Sequence, residues 1–223
     1  MTESQLLRYI LKGYSHPHNL IFADTETESL NLKFARPWDI GWVTETPAKK
    51  VTSYQYFPYF NDLKMSYGAQ KVNNFDIYKY KQVGSDIKHA CEELDNVLFD
   101  ENNLIIGQYW LGFDCMIVNN FRILCGKKSD YSYLKRVIDT KALCMAYHLK
   151  ENPNCAVGTN DFLAWQFRLL QKPKDRKLKT SLDFMIKEFG IDVAGLNRHE
   201  STSDNYLTRE AFHKLLWKID LYI

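Results

Sequence analysis

The sequence predicts an α/β domain built on a mixed sheet. Apolar segments of strand length come first, and the short loops between them favour antiparallel hairpins. Further on, short strand-like runs alternate with amphipathic helical segments, a pattern that calls for parallel pairing. The 223 residues suffice for one sizeable core, and 45% hydrophobic with 14% aromatic content is that of a folded globular chain.

Residues 3–12 place Leu6, Leu7, Ile10 and Leu11 at helical spacing before Gly13, so 1–18 read as an N-terminal helical extension. The run Leu20 to Ala23 is the first strand, leading into Asp24-Thr25-Glu26-Thr27-Glu28. Residues 38–44 form a second strand and 51–59, dense in aromatics, a third. Residues 61–83 show no clean period, and their state stays open. Ser85 is placed to cap a helix over 86–99, with Ile87, Ala90, Cys91, Leu94, Val97 and Leu98 on one face. Residues 103–107 make a short buried strand. Tyr109-Trp110-Leu111-Gly112-Phe113-Asp114 then enters a helix running to about Leu124 and stopped by Gly126.

Residues 137–139 are a further strand and 140–147 a helix. The stretch 150–180 reads as an insertion or basic loop, with a helix over 162–170 inside it. Ser181 caps a helix over 182–189 that Gly190 ends, and 203–221 close the chain as a long amphipathic helix with Tyr206, Leu207, Phe212, Leu215, Leu216 and Ile219 inward. No repeat, low-complexity tract or linker interrupts this, so one domain spanning 1–223 is expected.

Composition removes several classes. No apolar run approaches the roughly 20 residues of a membrane span, so no membrane partner is expected. Met1-Thr2-Glu3-Ser4 lacks the basic start and apolar core of a secretory signal. Five cysteines without a C-x-x-C pair argue against a disulfide framework or zinc site and for a reducing, cytoplasmic location. A net charge of +2 neither requires nor excludes a nucleic-acid partner, and any basic surface must be local.

Four acidic positions, in three motifs, carry chemistry. On a strand, side chains alternate faces, so Asp24 and Glu26 project from the same side. Carboxylates held side by side repel unless a cation sits between them, and a hard divalent ion suits oxygen ligands. An isolated D-x-E is equally an acidic loop after a strand. Asp114 follows a strand and opens a helix, where it can be a ligand or simply a cap that gains from the helix dipole. His199-Glu200-Ser201-Thr202-Ser203-Asp204 precedes the last helix. Ser201 or Ser203 with Asp204 can cap that helix; alternatively, a histidine on a loop beside metal ligands can deprotonate water near neutral pH.

In this order, D-x-E, F-D and H-x4-D, the sequence resembles the DEDDh (DnaQ-like) 3′–5′ exonuclease family. Asp24-Thr25-Glu26 with Ser29-Leu30 resembles the family's D-T-E-T-x-L opening, Phe113-Asp114 its second motif and His199…Asp204 its third. Val137-Ile138-Asp139-Thr140 is similar to its hydrophobic-D-T strand, and 181–191 to the helix ahead of its histidine. The likeness spans roughly residues 20–220. It departs at Tyr109 and Trp110, where members often carry Asn. The tyrosine subclass does not fit, because position 200 is Glu.

The resemblance implies a ribonuclease H-like fold: a central mixed five-stranded sheet, its first three strands in antiparallel hairpins, flanked by helices. It implies that Asp24, Glu26, Asp114 and Asp204 hold Mg2+ or Mn2+, two per site, with His199 as general base. Expected substrate contacts are Thr25, Leu30, Tyr109, Trp110, Lys172, Lys174, Arg176 and Lys177, with Leu30 as an apolar wedge against the terminal base. Phe34 and Trp38 are further stacking candidates, though aromatics at strand ends also serve the core. The basic run from Lys172 to Lys179 either tracks phosphates or is a solvated loop. The implied partner is nucleic acid, single-stranded DNA in preference to RNA, with a replication or repair protein as a second candidate. An exoribonuclease and a catalytically silent binding module stay open as alternatives. Glu28 is assigned no part.

Overall fold

A computed structural model describes residues 16–73, 75–172 and 178–223. The expected helix over 3–12 and the substrate candidates Lys174, Arg176 and Lys177 lie outside the described residues. Five strands form one mixed sheet: β1 (Asn19–Thr27), β2 (Pro37–Glu45), β3 (Val51–Tyr56), β4 (Asn103–Gly107) and β5 (Val137–Asp139). Their order is β3-β2-β1-β4-β5. β1–β2 and β2–β3 are antiparallel; β4 pairs parallel to β1 and to β5. This is the ribonuclease H-like arrangement that the motif order implied.

Helices cover both faces. Leu20 and Phe22 of β1 share one core with α5 (Thr140–Leu149), α6 (Asn160–Leu170), α7 (Leu182–Phe189) and α8 (Ser201–Leu216). Ile21 and Ala23 share the other with α3 (Ile87–Phe99) and α4 (Asp114–Leu124). The split follows from the period of two along β1. The phenyl ring of Phe22 meets Phe212 of α8 edge-on, with ring centroids 5.7 Å apart.

Element boundaries shift for physical reasons. β1 runs on through Thr27, so both acids lie within the strand, before a bulge between Glu26 and Thr27. Asp86, not Ser85, caps α3: its carboxylate accepts from Lys88 N and His89 N, both at 2.9 Å. Residues 61–83 contain two short helices, α1 (Tyr67–Val72) and α2 (Ile77–Val83). Asn73 ties α1 to the site edge by donating to Thr27 O at 3.1 Å. Within 150–180, α6 packs on the core, and its buried Gln166 accepts from Asp139 N at 2.7 Å and donates to Val137 O at 2.9 Å.

The last helix starts at Ser201 and ends at Leu216, five residues short of the expected end. Neither Ser201 nor Ser203 caps it. Asp39, near the start of β2, supplies the missing acceptors: Ser201 N donates to its Oδ2 at 3.1 Å and Ser201 Oγ to its Oδ1 at 2.7 Å. Gly41 lets the helix approach that closely, since a Cβ there would stand 2.2 Å from Ser201 Oγ and 3.2 Å from Thr202 N. Asn205 also donates to Gly41 O at 2.8 Å. Gly41→Ala is therefore expected to destabilise the fold by about 1–3 kcal/mol, the usual cost of overpacking. A lowered urea midpoint with unchanged m-value would show it; an unchanged midpoint would mean that α8 does not depend on this contact.

Candidate active site

The pleat of β1 sorts three consecutive residues. Asp24 and Glu26 fall on the side of Leu20 and Phe22, facing α8, while Thr25 falls on the side of α4. Glu26 meets His199 and Asp204 there: one potential ligand atom from each lies within 4.8 Å of the others. On the opposite side, Thr25 N and Oγ1 both donate to Asp114 Oδ1, at 3.1 and 2.7 Å. Thr25 is thus a buried clamp on Asp114.

The electrostatics are those of crowded acids. Burial pushes the Glu26 carboxyl up to about 9, and the charges of Asp39, Asp204 and Asp114 add to this while Arg198 opposes it. Asp24 opens to solvent at one side yet lies deep among protein atoms. That burial, then Asp114, Glu26, Asp204 and Asp39, raises it well above the carboxylate range. Burial also lifts Asp114 to about 7, partly offset by the two Thr25 donors. Asp24 and Glu26 accept no hydrogen bond among the described residues. Three or four carboxylate oxygens and a shortage of donors fit a hard divalent cation, with the His199 imidazole beside them.

One group already competes for that role. Arg198 Nη1 donates to Asp204 Oδ1, and His199 N reaches the same oxygen at 3.4 Å. His199 itself adopts φ 64°, a left-handed turn just before α8. Neither Arg198 nor Asp39 stands out in the sequence. Asp39 had one readable sign, a carboxylate within the apolar run Pro37-Trp38-Asp39-Ile40-Gly41-Trp42-Val43; Arg198 had only its place beside His199.

The aromatic candidates divide. Leu30 is 84% exposed and Phe34 67%, both on the loop after β1, with the Lys33 ammonium 5.1 Å from the Phe34 centroid. Glu28 holds this loop: its carboxylate takes Arg36 Nε at 2.8 Å and Nη2 at 2.9 Å, and Arg36 Nη1 reaches Asp62 at 2.7 Å. Trp38 is buried against Phe57 and Phe75.

Trp110 is fully buried and fills the core beneath Gly107, where a Cβ would sit 2.9 Å from its ring, so it has no face for a base. Tyr109 is 38% exposed, with the Lys141 ammonium 3.4 Å from its ring centroid. Asp139 fixes this segment, accepting from Tyr109 N at 3.3 Å and Leu111 N at 3.0 Å. Lys172 pairs with Glu151 at 3.4 Å.

Solved structures place the fold. The chain superposes on E. coli exonuclease I in complex with a dT13 oligonucleotide with a TM-score of 0.69 at 15% identity, covering 90% of this chain and 41% of that one. The zinc-bound form of the E. coli exonuclease I–single-stranded DNA complex gives 0.68 at 14% identity over 89% and 40%. A product-bound exonuclease I structure gives 0.66 at 15% over 90% and 43%. The chain therefore spans about two-fifths of the length of these enzymes. No family model and no curated protein sequence matches the chain. No helix among the described residues is long and apolar enough to cross a membrane.

The raised carboxyls set a pH dependence. Without metal, the folded protein holds protons on Asp24, Glu26 and Asp114 that the unfolded chain, with ordinary values of 3.8 and 4.5, has released. Stability is then greatest near the ordinary values and falls as pH rises toward about 9, where Glu26 ionises. Mg2+ should oppose this slope, releasing protons as it binds and raising Tm more at about pH 8 than at about pH 6; at a hundredfold excess over Kd it should add about 2.7 kcal/mol of stability. Metal-free melting curves that do not move between these pH values, with no Mg2+ effect, would exclude a cation site here.

Proposed function

We propose that the chain is a metal-dependent 3′–5′ exonuclease of the DEDDh (DnaQ-like) type. It would hydrolyse phosphodiester bonds from the 3′ ends of single-stranded DNA and release nucleoside 5′-monophosphates. One observation carries the reading: Glu26, Asp204 and His199 converge beside Asp24 on one face of β1, while Thr25 holds Asp114 from the other. The single-stranded oligonucleotides, zinc and product in the exonuclease I structures support the same substrate class.

Asp24, Glu26, Asp114 and Asp204 would hold Mg2+ or Mn2+, two per site. When bound, such ions neutralise the scissile phosphate and stabilise the departing oxygen. His199 takes a proton from the attacking water. The water oxygen bonds to phosphorus, the bond from phosphorus to the 3′ oxygen breaks, and that oxygen takes a proton from solvent to leave a 3′ hydroxyl on the shortened strand. Leu30 and Phe34, exposed beside the end of β1, supply apolar surface for the terminal bases, and Tyr109 with Lys141 flanks the Asp114 side.

The direct test offers 5′-labelled single-stranded DNA, duplex DNA and RNA with Mg2+ or Mn2+, beside Asp24→Ala. A ladder shortening from the 3′ end with wild type and absent from the variant is expected. No shortening of any polymer would refute the reading and favour a binding module whose acids Arg198 neutralises. His199→Ala should lower kcat by about 10²- to 10⁴-fold, the usual share of a general base, with Mn2+ and strand binding retained. Full turnover in that variant would remove His199 from the chemistry. Phe34→Ala should raise KM by about five- to 150-fold, as expected of a lost stacking contact of about 1–3 kcal/mol, and Leu30→Ala should raise it in the same direction. Equal KM values would place the terminal base elsewhere.

A further inference from the structure

Arg198 donates to two carboxylates of different character, Asp204 and Asp183, among its partners. Nη1 donates to Oδ1 of Asp204, which is buried in the first turn of α8. Nε and Nη2 donate to Oδ1 of Asp183, at 3.1 and 2.8 Å, on the exposed first turn of α7. The first of these contacts conflicts with a cation at Asp204, because a guanidinium and a divalent ion compete for the same charge. The second does not, since Asp183 belongs to the rim.

We propose that Arg198 is a phosphate-binding residue parked on Asp204, released when a divalent cation takes that carboxylate. This rests on the nuclease reading above. After displacement the guanidinium keeps Asp183 as its anchor, which confines it to the mouth of the site. Its freed nitrogen then meets the negative group that arrives there, a backbone phosphate of the strand. The planar fork suits this division of labour, because its donors can serve two oxygen partners at once. A lysine ammonium on its flexible stem lacks that fixed geometry. The left-handed turn at His199 follows directly, so one short loop carries both the phosphate grip and the proton acceptor. Occupancy of the cation site is thereby coupled to strand binding through a single side chain.

The test uses the full chain in a His199→Ala background, so that the strand is not consumed. Mn2+ binding is read by the loss of the free-ion resonance signal, and strand binding by anisotropy of a fluorescein-labelled oligothymidylate with Mn2+ present. Adding Arg198→Gln should tighten Mn2+ several-fold, because the competing cation is gone. The same change should weaken oligothymidylate about tenfold and lower the slope of log affinity against log salt by about one, as for one lost phosphate contact. Arg198→Lys keeps the charge and should restore the slope without restoring the full affinity.

Unchanged strand affinity and slope in Arg198→Gln would overturn the proposal, leaving Arg198 a fixed counter-ion. Parallel weakening of Mn2+ and strand with a fallen Tm would also overturn it, in favour of a purely structural role. Either result with a wild type that still shortens labelled DNA defeats only this inference. A wild type that binds neither Mn2+ nor oligothymidylate defeats the nuclease reading with it.

Discussion

The pleat of one strand sets what every neighbouring element has to do. Because side chains on β1 alternate, Asp24 and Glu26 are forced onto the face covered by α8, and Thr25 onto the face covered by α4. Two acids committed to a buried face are costly unless cationic or hydrogen-bonding groups meet them. The elements around β1 bring such groups, or more acids, to that face. α8 delivers Asp204 and the loop of His199, and α4 presents Asp114 to the hydroxyl and amide of Thr25.

The buried acids fall into two kinds, and hydrogen bonding separates them. Asp39, Asp139 and Glu28 are surrounded by donors: Ser201 and Gln55 for the first, four backbone amides for the second, Arg36 for the third. They work as clips between elements. The Asp24 and Glu26 carboxylates accept nothing among the described residues, so no hydrogen bond offsets the burial and the neighbouring acids that raise their proton affinity. Unmet acceptor capacity, more than acidity itself, marks the part of the molecule arranged to receive something.

Close backbone approach is the second device. Gly41 admits the start of α8 against β2, and Gly107 admits the indole of Trp110 beneath the sheet end. The Trp110 contact gives position 110 a role in the core. Trp110 is thus spent on the core, and Tyr109, over Lys141, stays at the surface.

By itself, the sequence determined the layered α/β fold, the same-face placement of Asp24 and Glu26, and the grouping of both with Asp114, Asp204 and His199 as candidates. Those follow from local periodicity and from the order of motifs, which the chain displays directly. It left 61–83 open, because short helices capped by Ser66 and Asp76 carry too few turns to show a period. Only the tertiary structure decided that Asp39 starts α8 from 162 residues away, that Thr25 serves Asp114, that Trp110 is core, and that Arg198 shares Asp204. The Asp39 and Thr25 pairings join elements distant in sequence, and even Arg198 and Asp204, six residues apart, meet across the turn that enters α8. Hydrogen bonds and ion pairs of that kind depend on where the sheet and helices finally meet, and no local spacing encodes it.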